Sequence, residues 1–204
     1  MSLPKASPRL TEAEYLRIER AADFKSEFFD GEMFAMAGGS PEHSLISTNL
    51  AREFGNRLRE GPCVAYNGDL RVKSDVSGLY TYPDLSVICG PLQLVEGTDD
   101  TAVNPQVLVE VLSSSTEAYD RGKKFELYRQ IPTLREYLLV SQTEPRIEQF
   151  ARQPDGRWLL TEASGLESKI EVPSLGIPIA LGEVFANVPF VPMPIRSPAP
   201  PRAL

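Results

Sequence analysis

Three side chains in this 204-residue chain have the type and placement to do chemistry together: Asp84, Glu110 and Lys124. The run Val107-Leu108-Val109-Glu110-Val111-Leu112 is apolar on both alternating faces, as a central strand covered on two sides should be. Glu110 is its only charge. Tyr82-Pro83-Asp84-Leu85-Ser86-Val87-Ile88 reads as a second strand, entered through a proline, with Asp84 at its start. Behind them a helix presents Lys124 inward. A lysine turned to an apolar face is costly unless a countercharge is present, and two carboxylates on neighbouring strands supply one. Such a set reads either as a structural ion pair between Glu110 and Lys124 or as an active site, and spacing alone leaves both open.

The elements that must position this set are legible in outline. Ser113-Ser114-Ser115-Thr116-Glu117 carries a Ser followed three residues later by Glu, a capping-box pattern, and predicts a helix from about Ser115 to Gln130. At 100° per residue, Asp120, Arg121, Lys124, Phe125, Leu127, Tyr128 and Ile131 share one half of the wheel. Lys123, Glu126, Arg129 and Gln130 share the other. Lys124 therefore points inward and Lys123 to water. Thr11 and Glu14 form a second capping box, stapled by Leu10 and Tyr15, for a helix to about Ala21. Asp30-Gly31 is a two-residue turn closing a hairpin over 24–37, with Glu27 on its first strand. Ser40 and Pro41 start a helix reaching about Leu58, with Leu45, Ile46, Leu50, Phe54 and Leu58 on its packed side. His43, the single histidine, sits in the first turn of that helix, a poor place for a cation. A neutral, hydrogen-bonding or exposed role is expected for it rather than a catalytic one.

Short strands are expected at 64–66 and 70–72, around Asn67-Gly68-Asp69, where Asp69 is a weaker acidic candidate. The polar connection 90–105 reads as a mobile flap. Further strands follow at 137–140, and at 146–151 with 158–161 as a hairpin. Residues 175–185 read as an edge strand with a turn. One domain is expected over 1–187, and a proline-rich, extended or disordered tail over 188–204.

Apolar residues make up 42% and charged residues 24% of the chain, and no apolar run approaches the roughly 18 residues of a membrane span. Cys63 and Cys89 have no Cys or His neighbours at zinc-ligand spacing, so free thiols in a reducing cytoplasm are expected. The net charge of −7 argues against wholesale phosphate binding. Arg121, Lys123, Lys124, Arg129 and Arg135 nevertheless make the helix locally positive. No Gly-rich phosphate loop, Ser-centred elbow or His-rich metal motif is present.

The ordered set of hairpin Glu27, Pro83-Asp84, central-strand Glu110, and Asp120 with Lys124-Phe125-Glu126-Leu127-Tyr128 resembles the Uma-two family of the PD-(D/E)xK, restriction-endonuclease-like superfamily. The resemblance spans roughly Leu10 to Phe185. It implies an α/β (α+β mixed) fold with a mixed central sheet flanked by helices and extra hairpins. It also implies a divalent-metal-dependent endonuclease acting on nucleic acid, DNA being the expected substrate; the lack of a long apolar run gives the separate expectation of no membrane association. Carried over, Asp84 and Glu110 would be the metal carboxylates and, with the Val111 backbone carbonyl, would hold Mg²⁺ or Mn²⁺. Lys124 would be the catalytic lysine and Glu27 a supporting ligand. The sequence departs from the superfamily pattern at Leu112, where a lysine two residues after the glutamate is expected; the family resemblance moves that role to Lys124. The competing reading is a catalytically inactive nuclease-fold protein that binds nucleic acid or a protein partner. Analogy with similar folds suggests a homodimer.

Overall fold

Residues 9–190 are described by the computed structural model, in which two mixed sheets are accompanied by three longer helical segments. Strands β1 (Ser26–Phe29), β2 (Glu32–Ala35), β4 (Arg71–Ser74), β5 (Leu79–Thr81) and β7 (Thr101–Ala102) form one sheet in the order β2-β1-β5-β4-β7. Strands β3 (Cys63–Asn67), β6 (Leu85–Cys89), β8 (Val107–Leu112), β9 (Glu136–Ser141), β10 (Arg146–Arg152) and β11 (Trp158–Ser164) form the other, in the order β11-β10-β9-β8-β6-β3. The pairs β8–β9 and β4–β7 are parallel and the remaining ladders antiparallel. A separate hairpin joins β12 (Lys169–Val172) to β13 (Ile177–Ala180). Helices α1 (Glu12–Ala21) and α2 (Pro41–Arg57) flank the sheets, the helical segment α3 (residues 117–128) covers β8, and α4 (Leu181–Val184) is the last helix of the described fold. This is the mixed α/β architecture expected.

The two-residue period of β8 divides its side chains between two cores. Val107, Val109 and Val111 pack with Ile46, Leu50 and Phe54 of α2. Leu108 and Leu112 pack on the opposite face with Leu127, Tyr128 and Tyr137. Glu110 shares the parity of Leu108 and Leu112, so it lies under α3. Local signals agree with the packing at both early helices: the Thr11–Glu14 capping box is complete, and Ser40 Oγ accepts from the His43 N–H. Asp30 and Gly31, both at positive φ, make the turn of the β1–β2 hairpin.

Several expectations are corrected. The helix α3 begins at Glu117 rather than about Ser115, and it is not uniformly α. It runs as Glu117–Tyr119, a π-helical stretch Asp120–Lys124, and Phe125–Tyr128. The Ser114–Glu117 capping box does not form: Ser113 Oγ accepts from the Thr116 N–H, while Glu117 turns to Arg121. The strand expected over 82–88 is interrupted, because β5 ends at Thr81 in one sheet and β6 starts at Leu85 in the other, with Tyr82-Pro83-Asp84 crossing between them. The connection 90–105 is anchored rather than a free flap. It contributes β7, and Asp100 pairs with both Arg20 and Arg71. β12 forms in a stretch for which the sequence predicts no strand. Cys63 and Cys89 face each other across β3 and β6 as a disulfide, which corrects the expectation of free thiols and removes that argument for a reducing compartment. The tail expected over 188–204 lies, from residue 191, outside the described residues. Val188 is buried and the Phe190 ring sits 5.6 Å from that of Phe185. Among the described residues no helix is long and apolar enough to cross a membrane.

Candidate active site

The crossing Tyr82-Pro83-Asp84 brings the two sheets together, and the polar residues collect at that junction. The register Leu85↔Val109 would set residue 83 opposite Val111, but β6 begins only at Leu85, so no ladder partner stands there. The Val111 N–H is left free of the β6 ladder, and it donates to Asp84 Oδ2 at 2.7 Å. Gly68, in the turn after β3, lies against Pro83 and Asp84; a Cβ there would be 3.5 Å from the Pro83 carbonyl oxygen.

Lys124 is 5% exposed, and its Nζ lies 2.9 Å from Glu110 Oε1, 2.9 Å from Glu27 Oε1 and 3.5 Å from Asp120 Oδ1. The three carboxylates come from three elements: β8, β1 and the π-helical stretch of α3. The inward direction of Lys124 and the outward direction of Lys123 follow the helical wheel. Glu27, which sequence context marks as an ordinary hairpin glutamate, is 8% exposed and accepts from Thr81 Oγ1 at 2.6 Å. The Tyr128 hydroxyl donates to Glu110 Oε1 at 2.7 Å. Asp69 lies apart, paired with Lys25 on the surface.

Burial sets the electrostatics. It pushes Glu110 from its ordinary 4.5 up to about 8, against the pull of Lys124, and the neighbouring charges of Asp84, Asp120 and Glu27 add to the rise. Asp120 is raised for the same reason, desolvation. Desolvation opposes the charge on Lys124, but Glu110, Glu27 and Asp120 outweigh it and hold the ammonium protonated. The local positive charge expected of the helix is largely neutralised: Arg121 pairs with Glu117 and Glu148, and Lys123 with Glu126.

Two residues to which the sequence assigns no catalytic or metal role join the cluster. Asp120 stands four residues before Lys124 on one helix face, an i,i+4 spacing that the sequence displays. His43 Nε2 lies 3.3 Å from Asp84 Oδ2, and its pKa is raised, first by that carboxylate and against desolvation. The helix N-terminus disfavours a cation at His43, but a carboxylate in contact is the stronger influence. Nothing in the local sequence signals this meeting, since the two residues come from α2 and the strand crossing.

Among the described residues no three His, Cys, Asp or Glu side chains make a ready metal cage. The donors nonetheless suit a hard cation that keeps most of its water, for which one or two carboxylates are enough. They are oxygen ligands, and the carboxylates Glu27, Asp84, Glu110 and Asp120 exceed the single buried ammonium.

Mixed sheets flanked by helices, with acidic residues and a lysine gathered where they meet, make a mixed α/β fold. The same fold occurs in a crystal structure of a "putative nuclease belonging to DUF820" from Anabaena variabilis, with a TM-score of 0.71 over 86% of this chain and 97% of that one, at 16% identity. The Uma2 (Uma-two) family model, described as "Putative restriction endonuclease", matches residues 12–182, and the chain belongs to that family. Two Synechocystis proteins are similar along nearly their whole lengths. Uncharacterized protein slr1290 is 40% identical over 183 residues, 90% of this chain and 95% of that protein. Uncharacterized protein sll1609 is 39% identical over 166 residues, 79% and 92% respectively.

Proposed function

We propose that this chain is a divalent-metal-dependent endonuclease that hydrolyses phosphodiester bonds in nucleic acid, with DNA as substrate. The observation that carries the reading is the convergence of Lys124 with Glu110 and Glu27, beside an Asp84 held by the Val111 N–H, at the junction of two sheets. A buried cation–carboxylate cluster at such a junction is costly, and catalysis is a reason to keep it. Asp84, Glu110 and the Val111 carbonyl would hold Mg²⁺ or Mn²⁺, which when bound supplies an acidified water and neutralises charge on the phosphate. Lys124 then donates to the oxygen on which negative charge develops, a contribution of about 3 kcal/mol for one well-placed donor. Glu27 and Asp120 fix the ammonium, and Tyr128 fixes Glu110. The reading takes residues 1–187 as the catalytic domain, with activity in the cytoplasm, where nucleic acid is at hand, and with a homodimer as the assembly.

Nicking of plasmid or single-stranded DNA that needs Mg²⁺ or Mn²⁺ and is abolished by EDTA is the expected result. The same ions should raise the melting temperature of the wild type but not of Asp84→Asn/Glu110→Gln, since a ligand of the folded state alone stabilises by about 2.7 kcal/mol at a hundredfold excess over Kd. Equal shifts in both proteins would remove the site. A non-cutting binder of nucleic acid or protein is favoured by one observation: Lys124 is already surrounded by carboxylates in a chain of net charge −7. Absence of metal-dependent nicking beside retained DNA binding would select it.

A further inference from the structure

Asp84 has two carboxylate oxygens, and the fold treats them differently. Oδ2 receives the Val111 N–H at 2.7 Å and lies 3.3 Å from His43 Nε2. Oδ1 has no hydrogen-bond donor among the described residues. His43 in turn is held from behind. Ser47 Oγ stands 3.5 Å from Nδ1 and donates to the His43 carbonyl oxygen at 2.9 Å. Gly39 closes over the same side of the ring, where a Cβ would fall 2.7 Å from Nδ1, so a side chain at position 39 would force the imidazole to move. The ring is thus confined between Gly39 and Ser47 on one side and Asp84 on the other. Its side chain is 20% exposed, so it sits at the mouth of the junction rather than in the core.

We propose that His43 is a positioning residue of the nuclease site: with the Val111 N–H it clamps Oδ2 of Asp84 and leaves Oδ1 directed at a divalent cation. The inference rests on the nuclease reading above. The physical reason is that a carboxylate on an irregular crossing rotates about its own side chain, and each orientation it samples away from the cation weakens the site. A donor fixed on the long, capped helix α2 removes that freedom. Partners that orient a metal-binding carboxylate are commonly worth 10–100-fold in metal affinity.

The test is isothermal titration of Mn²⁺ into the metal-stripped full chain, wild type beside His43→Ala, His43→Gln and Gly39→Ala. His43→Ala should bind Mn²⁺ about 10–100-fold more weakly. His43→Gln keeps an N–H at similar reach and should recover most of the affinity. Gly39→Ala displaces the ring without deleting it and should weaken binding in the same direction. A merely structural role would lower the melting temperature in EDTA without this ordering of affinities. Mn²⁺ binding by His43→Ala as tight as wild type or tighter overturns the proposal, as does a folded His43→Gln no better than His43→Ala. Should His43→Ala not fold, Gly39→Ala and His43→Gln decide. A wild type that binds no Mn²⁺ overturns the nuclease reading together with this one; a wild type that binds and cuts, with His43→Ala unchanged, overturns this one alone.

Discussion

Lys124 Nζ lies 2.9 Å from Glu110 Oε1, and this contact ties the central strand to the helix that covers it. The ammonium also serves Glu27 and Asp120, so its removal strands more than one buried carboxylate. Lys124→Ala is expected to cost about 3–5 kcal/mol in urea unfolding of the metal-free protein. Lys123→Ala, on the exposed side with Glu126 as an exposed ion-pair partner and its Nζ 5.4 Å from the Phe29 ring, should stay within about 1 kcal/mol. A loss below 1 kcal/mol for Lys124→Ala would mean that the cluster is solvated and relaxes without its lysine.

Glu110 makes the metal-free protein pH-sensitive. Its folded value of about 8 lies above the ordinary 4.5, so the native state holds a proton that the unfolded state has released between those values. The associated stability is fully present below about pH 4.5 and is lost as pH rises through about 8. Its slope is at most about 1.4 kcal/mol per pH unit, the limit for one proton. In EDTA, Glu110→Gln should flatten this part of the profile and melt at or above wild type at pH 8. Identical pH profiles for the two proteins would place the proton elsewhere.

A second buried ion network holds the strand crossing from the other side. Arg71 is 2% exposed and pairs with Glu19 and with Asp100, the latter at 2.6 Å, while the Tyr82 hydroxyl donates to Glu19. Arg71→Ala leaves Glu19 buried and without its cation, and a loss of about 3–5 kcal/mol is expected in chemical unfolding. Arg71→Lys should recover only part of it, because an ammonium cannot serve Glu19, Asp100 and Thr101 in one fork. Full recovery by lysine would count against that geometry.

The Cys63–Cys89 disulfide closes a separation of 26 residues between the edge strand β3 and β6. A loop of that size corresponds to about 3.5 kcal/mol of unfolded-state entropy. Dithiothreitol, or Cys63→Ser/Cys89→Ser, should lower the unfolding midpoint accordingly. Two reactive thiols per native chain in the absence of reductant would show that the bond is not formed.

Much of this arrangement is legible before the fold is known. The β8 run is apolar on both faces because both are covered, and its one charge is the carboxylate that Lys124 meets. The α3 wheel sorts Lys124 from Lys123 correctly even though the stretch between Asp120 and Lys124 is π-helical, since both residues keep to the buried face. Other features depend on tertiary placement and leave no local trace. Glu27 looks exposed until β5 sets Thr81 against it, and His43 meets Asp84 only because α2 and the strand crossing share the junction. The capping box before α3 fails for a local reason: the Glu117 N–H that Ser114 would accept donates to the Ser113 carbonyl oxygen at 2.9 Å, and the Glu117 carboxylate is taken by Arg121. The disulfide pairs residues 26 apart in a register that spacing does not encode.

Metal-dependent DNA cleavage by Lys124→Ala, set beside Lys123→Ala, tests the central claim most directly. The two lysines are sequence neighbours of equal charge and contribute almost equally to long-range attraction for phosphate. Only direction separates them: one is buried among Glu27, Glu110 and Asp120, and the other lies outside. With both variants shown to be folded at the assay temperature, Lys124→Ala should lower kcat about a hundredfold or more with little change in DNA affinity, and Lys123→Ala should cut within about twofold of wild type. Loss of cleavage in Lys123→Ala with Lys124→Ala still active would contradict the account.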